Sequence, residues 1–164
     1  RACSDLGARS ACQVSRRILR AVSSSFDLPA TLPLIHQQWL RAIEPTSPRD
    51  AATTLLFGLV TAEGVVHAAQ LGDGLLLTRC AGEFRRVTPD RTAYGNQTSA
   101  LESTHVQEKW STTQCRFTEP GDGVILMTDG VADDLEPVQL ADFFDEIYKD
   151  LRNRNHARSK HSLK

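Results

Sequence analysis

The sequence holds no apolar run long enough to cross a bilayer, which excludes a membrane-spanning helix. An excess of one charge is also missing. Nineteen Lys and Arg stand against 20 Asp and Glu, a net charge of −1, so nothing draws the chain to nucleic acid or a membrane surface. The four cysteines (Cys3, Cys12, Cys80 and Cys115) contain no Cys-x-x-Cys pair. A zinc ribbon and a thioredoxin-like site are thereby disfavoured, and the reading is four reduced thiols in a cytoplasmic protein. The five histidines show no His-x-x-x-His spacing and read as structural or surface residues. No Asp-x-Asp-x-Asp-Gly loop is present, which ranks a plain calcium-binding β-protein low. The first twenty residues are mixed and polar, unlike a secretory leader. The chain does not open on Met, so residue 1 is expected to lie within a longer protein.

What is present suits one globular domain: 164 residues, 40% hydrophobic and 24% charged. Leu6, Ala11, Val14, Ile18 and Val22 recur at helical spacing and predict a helix from about Ser4 to Ser24. Pro29 and Pro33 bracket an expected connection before a second helix, about Leu34 to Ile43. The pattern then turns to strands at Ala52–Thr61, Val65–Leu71, Leu75–Cys80 and Phe84–Val87. Their short turns predict an antiparallel meander. Residues 88–105 read as a long loop, residues 106–118 hold one more strand, and Val124–Met127 is the last. A helix is expected from Val138 to Leu151, followed by a basic tail. Helices segregated from antiparallel strands make the fold class α+β.

Two strands deliver aspartates at their ends. Val124-Ile125-Leu126-Met127 runs into Thr128-Asp129-Gly130-Val131-Ala132-Asp133-Asp134, and Val65–Leu71 runs into Gly72-Asp73-Gly74. Carboxylates at the ends of buried strands make a rigid set of oxygen ligands for a hard divalent cation. If the strands end at one edge, Asp73, Asp129 and Asp133 converge, and a cation would relieve their mutual repulsion. Asp129 and Asp133 are four apart, so they face one ion only if the turn curls helically or the ion bridges them. The plainer reading is that Asp-Gly is a common turn pair, and Asp122 reads as structural in a surface turn.

These residues resemble a family, the metal-dependent protein phosphatases of type 2C. Gly72-Asp73-Gly74 is similar to its Gly-Asp-Ser motif, and Thr128-Asp129-Gly130-Val131-Ala132-Asp133 to its Ser-Asp-Gly-x-x-Asp motif. Asp50-Ala51-Ala52-Thr53-Thr54-Leu55 resembles its Gly-Ser/Cys-Thr-Ala strand. Ser4-Asp5-Leu6-Gly7-Ala8-Arg9 and Tyr94-Gly95-Asn96-Gln97-Thr98 resemble a helix start and a long-loop motif of its bacterial branch. The matches keep the family's order over about residues 1–150.

The resemblance implies a β-sandwich with helices packed on both outer faces. It implies a signalling enzyme, a serine/threonine phosphoprotein phosphatase in which a metal-bound hydroxide hydrolyses the phosphomonoester. The expected cofactors are two core Mg²⁺ or Mn²⁺ ions and a weaker third. Asp129 matches a ligand of the core pair and Gly130 its small neighbour. Asp73 and Asp133 match residues that hold the third ion with Asp129. No catalytic residue beyond the metal ligands is implied. The expected partner is a phosphoprotein substrate, with no nucleic acid and no membrane, and the oligomeric state stays open.

The chain also departs from the pattern. The family's first Asp-Gly motif and its closing Asp-Asp/Asn motif have no match here, so the chain resembles the middle of the domain. Residues 1–151 are read as a partial phosphatase 2C-like domain and 152–164 as a flexible tail. The missing motifs keep a second reading open, a non-catalytic phosphatase-like module that binds a protein partner.

Overall fold

The computed structural model describes residues 3–21, 26–89, 99–105 and 107–161, with side chains through residue 154. The Tyr94–Thr98 motif, Val22 and the expected end of the first helix lie outside the described residues.

Helix α1 (Ser4–Ala21) buries Ala11, Val14 and Ile18 on one stripe. At Gly7 the helix passes so close to the chain that a Cβ would lie 1.7 Å from the Ala51 carbonyl oxygen. Trp39 Nε1 donates to the Gly7 carbonyl at 3.1 Å and ties α1 to α2 (Leu28–Ala42). Helix α2 starts well before the predicted Leu34. Pro29 sits in its first turn, where no N–H is needed, and Pro33 lies inside it on an exposed face. An interior proline costs about 3 kcal/mol. Leu32, Ile35 and Trp39 are fully buried on the same helix, and each contributes about 1.5–3 kcal/mol, which outweighs that cost.

Among the described residues, six strands form two antiparallel sheets. In the first, β2 (Val65–Leu71) lies between β1 (Leu55–Val60) and β5 (Ser111–Arg116). In the second, β3 (Leu75–Cys80) lies between β4 (Glu83–Arg86) and β6 (Gly123–Met127). The predicted single meander is therefore wrong at one turn. Gly72-Asp73-Gly74 does not close a hairpin; it carries the chain from one sheet to the other. The physical reason is burial on both faces: β2 is buried from Val66 to Leu71 and β3 from Leu75 to Thr78. Such strands need cover on each side, which a single sheet lacks.

The cover is layered. Leu55, Phe57, Ala69 and Leu71 pack outward against α1 and α2, together with Trp110. Leu75, Leu77 and Met127 pack outward against Leu140 and Phe144 of α4 (Leu140–His161). Arg79 lies 4.9 Å from the centroid of the Phe144 ring and pairs with Asp145. The inner faces meet each other: a Cβ on Gly58 of β1 would touch Leu126 Cδ1 at 3.8 Å and Val124 Cγ1 at 3.9 Å on β6. The result is an antiparallel sandwich with helices on both outer faces.

Two further expectations change. Helix α4 continues past the predicted end at Leu151 into the basic tail, through His161. The Asp150–Arg154 pair at 2.8 Å supports that extension at helical spacing. Cys80 and Cys115 are joined in a disulfide, whereas Cys3 and Cys12 are free. The expectation of four reduced thiols is corrected, and the argument for a cytoplasmic location built on them falls with it. Stacking brings the end of β3 next to β5, with the two Cα atoms 6.2 Å apart, inside the range a disulfide spans. A 35-residue separation in sequence carries no trace of that neighbourhood.

At the same end of the sandwich, Asp122 acts as a clamp. Its carboxylate accepts N–H bonds from Ala81 (2.9 Å), Gly82 (3.0 Å), Thr118 (2.7 Å) and Glu119 (2.9 Å). Burial alone would raise its pKa, but the four backbone donors prevail and hold it at about 2. A lowered folded pKa stabilises the protein fully above the ordinary carboxylate value and progressively less as pH falls toward 2. Asp122→Ala is expected to cost about 1–2 kcal/mol in urea unfolding at neutral pH, the loss typical of a capping carboxylate. The gap between wild type and variant should close between about pH 4 and pH 2. A pH-independent gap would contradict the clamp.

Candidate metal-binding edge

The opposite end of the sandwich is acidic. Leu75 of β3 pairs with Met127 of β6 in the antiparallel register. Gly74 directly precedes Leu75 and Thr128 directly follows Met127, so the segments that carry Asp73 and Asp129 leave this strand pair at the same end. The approach at Gly74 is close: a Cβ there would lie 2.4 Å from the Met127 carbonyl oxygen and 2.9 Å from Leu56 Cδ2. At Gly72, φ is +121°, a conformation that favours glycine. A Cβ on Gly72 would lie 2.3 Å from Thr54 Cγ2 and 3.3 Å from the Ser99 carbonyl oxygen. Thr53 also bridges to Leu101. Three sequence motifs thus meet at one end: Gly72–Gly74, Thr128–Asp133 and the Asp50–Leu55 segment.

Asp129 opens a four-residue helix, α3 (Asp129–Ala132), and is exposed. Its Oδ1 accepts the N–H of Gly130 at 2.9 Å. The Asp133 N–H donates to the Asp129 carbonyl at 2.9 Å, so the turn does curl helically. Asp133 stands one helical turn beyond Asp129. A Cβ at Gly130 would meet no atom within 4 Å. Packing therefore does not dictate glycine at that position, and open space lies beside Asp129. Asp73 is half-buried, whereas Asp133 is exposed.

The carboxylate oxygens on these elements suit a hard divalent cation that keeps several waters, as Mg²⁺ does. Asp73 and Asp129 each lie two residues beyond the last β3–β6 pair, at the same end of it. Among the described residues, however, no group of three or more His, Cys, Asp or Glu side chains is assembled as a ready metal cage. Among the described residues, His36 and His67 are buried titratable groups. His67 on β2 packs edge-on against Phe26 at 4.7 Å, and burial lowers its pKa.

The motif reading misses one polar group, the side chain of Gln70. It is 1% exposed and bonds to both glycines that flank Asp73. The signal available was a lone Gln inside the apolar run Val65–Leu71.

No curated protein matches the chain. Among solved structures it is similar to the phosphatase domain of the cell fate determinant SpoIIE from Bacillus subtilis, at 14% identity and a TM-score of 0.42. That match covers 87% of this chain and 64% of the SpoIIE chain, so the sequence spans less than two thirds of that neighbour. The family model described as protein phosphatase 2C matches residues 1–164. The chain belongs to the protein phosphatase 2C family.

Proposed function

We propose that this chain is part of a metal-dependent serine/threonine phosphoprotein phosphatase, with Asp73, Asp129, Gly130 and Asp133 at its metal edge. What supports the reading is the last β3–β6 pair, Leu75–Met127, beyond which the Asp73 and Asp129 segments leave at one end, where Gly72 also approaches Thr54. A bound Mg²⁺ or Mn²⁺ supplies hydroxide from water near neutral pH and neutralises phosphate oxygens. The protein's own part is to hold negative oxygen ligands on rigid strand ends. In this reading Asp129 at the start of α3 and Asp133 just past its end contribute carboxylates, and Asp73 contributes one from the inter-sheet turn. Gly130 leaves room beside Asp129 for water and for a phosphomonoester arriving from solvent. The exposure of this edge suits a phosphoserine or phosphothreonine on a protein surface.

The test is Mn²⁺-dependent release of phosphate from a phosphothreonine peptide by the full-length protein, abolished by chelation. Hydrolysis that persists in chelator contradicts the reading. One observation favours the second reading, a non-catalytic module that binds a protein partner: no three-ligand group is assembled among the described residues. That reading expects no hydrolysis with either ion.

A further inference from the structure

Gln70 belongs to β2 of the first sheet, yet its side chain serves the turn that leads into the second. It points into the sandwich interior, on the same face as Val66 and Ala68, and is 1% exposed. Its Nε2 donates to the Gly72 carbonyl at 3.1 Å and to the Gly74 carbonyl. Its Oε1 accepts the Thr88 hydroxyl at 2.6 Å. That hydroxyl in turn accepts the Leu76 N–H at 2.7 Å. Two carbonyls at one end and a hydroxyl donor at the other settle which way the amide faces. Every polar atom of the Gln70 side chain is used, and the bond to the Gly74 carbonyl is fully buried, where hydrogen bonds are electrostatically stronger.

The geometry encloses Asp73. Its two neighbours in sequence are held through their carbonyls by one amide group. The segment beyond the turn is held through Leu76 and Thr88. Neither Gly72 nor Gly74 has a side chain with which to anchor itself. A polar group buried among Val66, Ala68 and Leu76 costs free energy unless it is fully bonded, and an apolar residue would fill the sandwich at lower cost. The structure assigns Gln70, supported by Thr88, as a positioning residue that fixes the inter-sheet turn and so the direction of the Asp73 carboxylate. This role toward a metal rests on the phosphatase reading above. The fixing of the turn does not.

The experiment compares wild type, Gln70→Leu, Thr88→Val, Thr88→Ser, Asp73→Asn and Asp122→Ala in the full-length protein. In the metal-free state, Gln70→Leu and Thr88→Val should shift the backbone amide resonances of Gly72 to Gly74. Thr88→Ser, which keeps the hydroxyl, should restore them. Mn²⁺ affinity, read by electron paramagnetic resonance of free Mn²⁺, should weaken about 10- to 100-fold in Gln70→Leu and Thr88→Val, the usual loss when a ligand's support is removed. Thr88→Ser should bind as wild type does. Asp122→Ala, destabilised at the far end, should also keep wild-type affinity, which separates positioning from general loss of stability. If Asp73→Asn weakens binding while Gln70→Leu and Thr88→Val do not, the positioning role is overturned and the phosphatase reading stands. If Asp73→Asn leaves affinity unchanged, or wild type binds no Mn²⁺, the role of this turn toward a metal is overturned with that reading. Unchanged turn resonances in Gln70→Leu overturn the inference outright.

Discussion

Asp129→Asn is expected to lower Mn²⁺-stimulated phosphate release by the full-length protein by about 10²- to 10³-fold. That is the usual loss when one preorganised electrostatic partner is removed from a reaction centre. The substitution is nearly isosteric, so its effect isolates charge. Asp129 is exposed at the start of α3, and its one bond within the turn comes from the Gly130 N–H. An Asn side-chain oxygen accepts that bond equally well. Surface changes of this kind shift stability by no more than about 0.5 kcal/mol. Activity should therefore fall while the melting temperature stays. The contrasting variant is Asp122→Ala, at the other end of β6, which should lose stability and retain activity. Activity near wild type in Asp129→Asn would remove Asp129 from the proposed chemistry.

The largest effect on stability is expected at Cys80 and Cys115. Their bond closes a loop of 35 residues and joins one sheet to the other. On the chain-entropy account, closing a loop of that length stabilises the folded state by about 4 kcal/mol. In a domain of this size each kcal/mol moves the melting temperature by about 2–4 °C. Reduction, or Cys115→Ser, should therefore lower it by about 8–16 °C. The remaining core is extensive: Trp39, Leu32, Ile35 and Leu77 are fully buried without help from the bond. The reduced protein should still fold at room temperature. Thiol titration of the folded protein should find two reactive cysteines, Cys3 and Cys12, and blocking them should leave the melting temperature unchanged. Four titratable thiols in non-reducing conditions would contradict the staple.

Some of this was legible in the sequence because local chemistry carried it. Strands β2 and β3 begin and end as their apolar runs do, because glycine bounds each run at the inter-sheet turn. The candidate aspartates stand out in the sequence for the same reason, since Asp73 and Asp129 each follow such a run. What escaped depends on pairing between distant segments. Nothing local distinguishes a hairpin at Gly72–Gly74 from a crossing between sheets; that choice is made by the two-sided burial of β2 and β3. The Cys80–Cys115 bond depends on the same stacking. The start of α2 was hidden because Pro29 and Pro33 are helix breakers in general and tolerated here at the first turn and on an exposed face. The α4 stripe was read correctly as amphipathic, but only part of it is covered. Leu140 and Phe144 are buried, whereas Ile147 and Leu151 remain 37% and 55% exposed. Gln70 escaped because one polar residue in an apolar run reads as an interruption, and its partners come from three other positions in the chain.

The central claim is that a divalent cation binds where the inter-sheet turn meets the end of β6. Paramagnetic broadening by a small amount of Mn²⁺ tests it directly, because broadening falls steeply with distance and registers weak binding. Asp122 and Thr128 flank β6 and are six residues apart, about 20 Å at roughly 3.3 Å per residue, so the two regions are well resolved from one another. The account predicts selective loss of amide signals at Gly72 to Gly74 and Asp129 to Asp133. Signals at Ala81, Gly82 and Asp122 should be untouched, and Asp129→Asn should restore the lost ones. Uniform broadening, or broadening centred on Asp122 rather than Asp129, would contradict it.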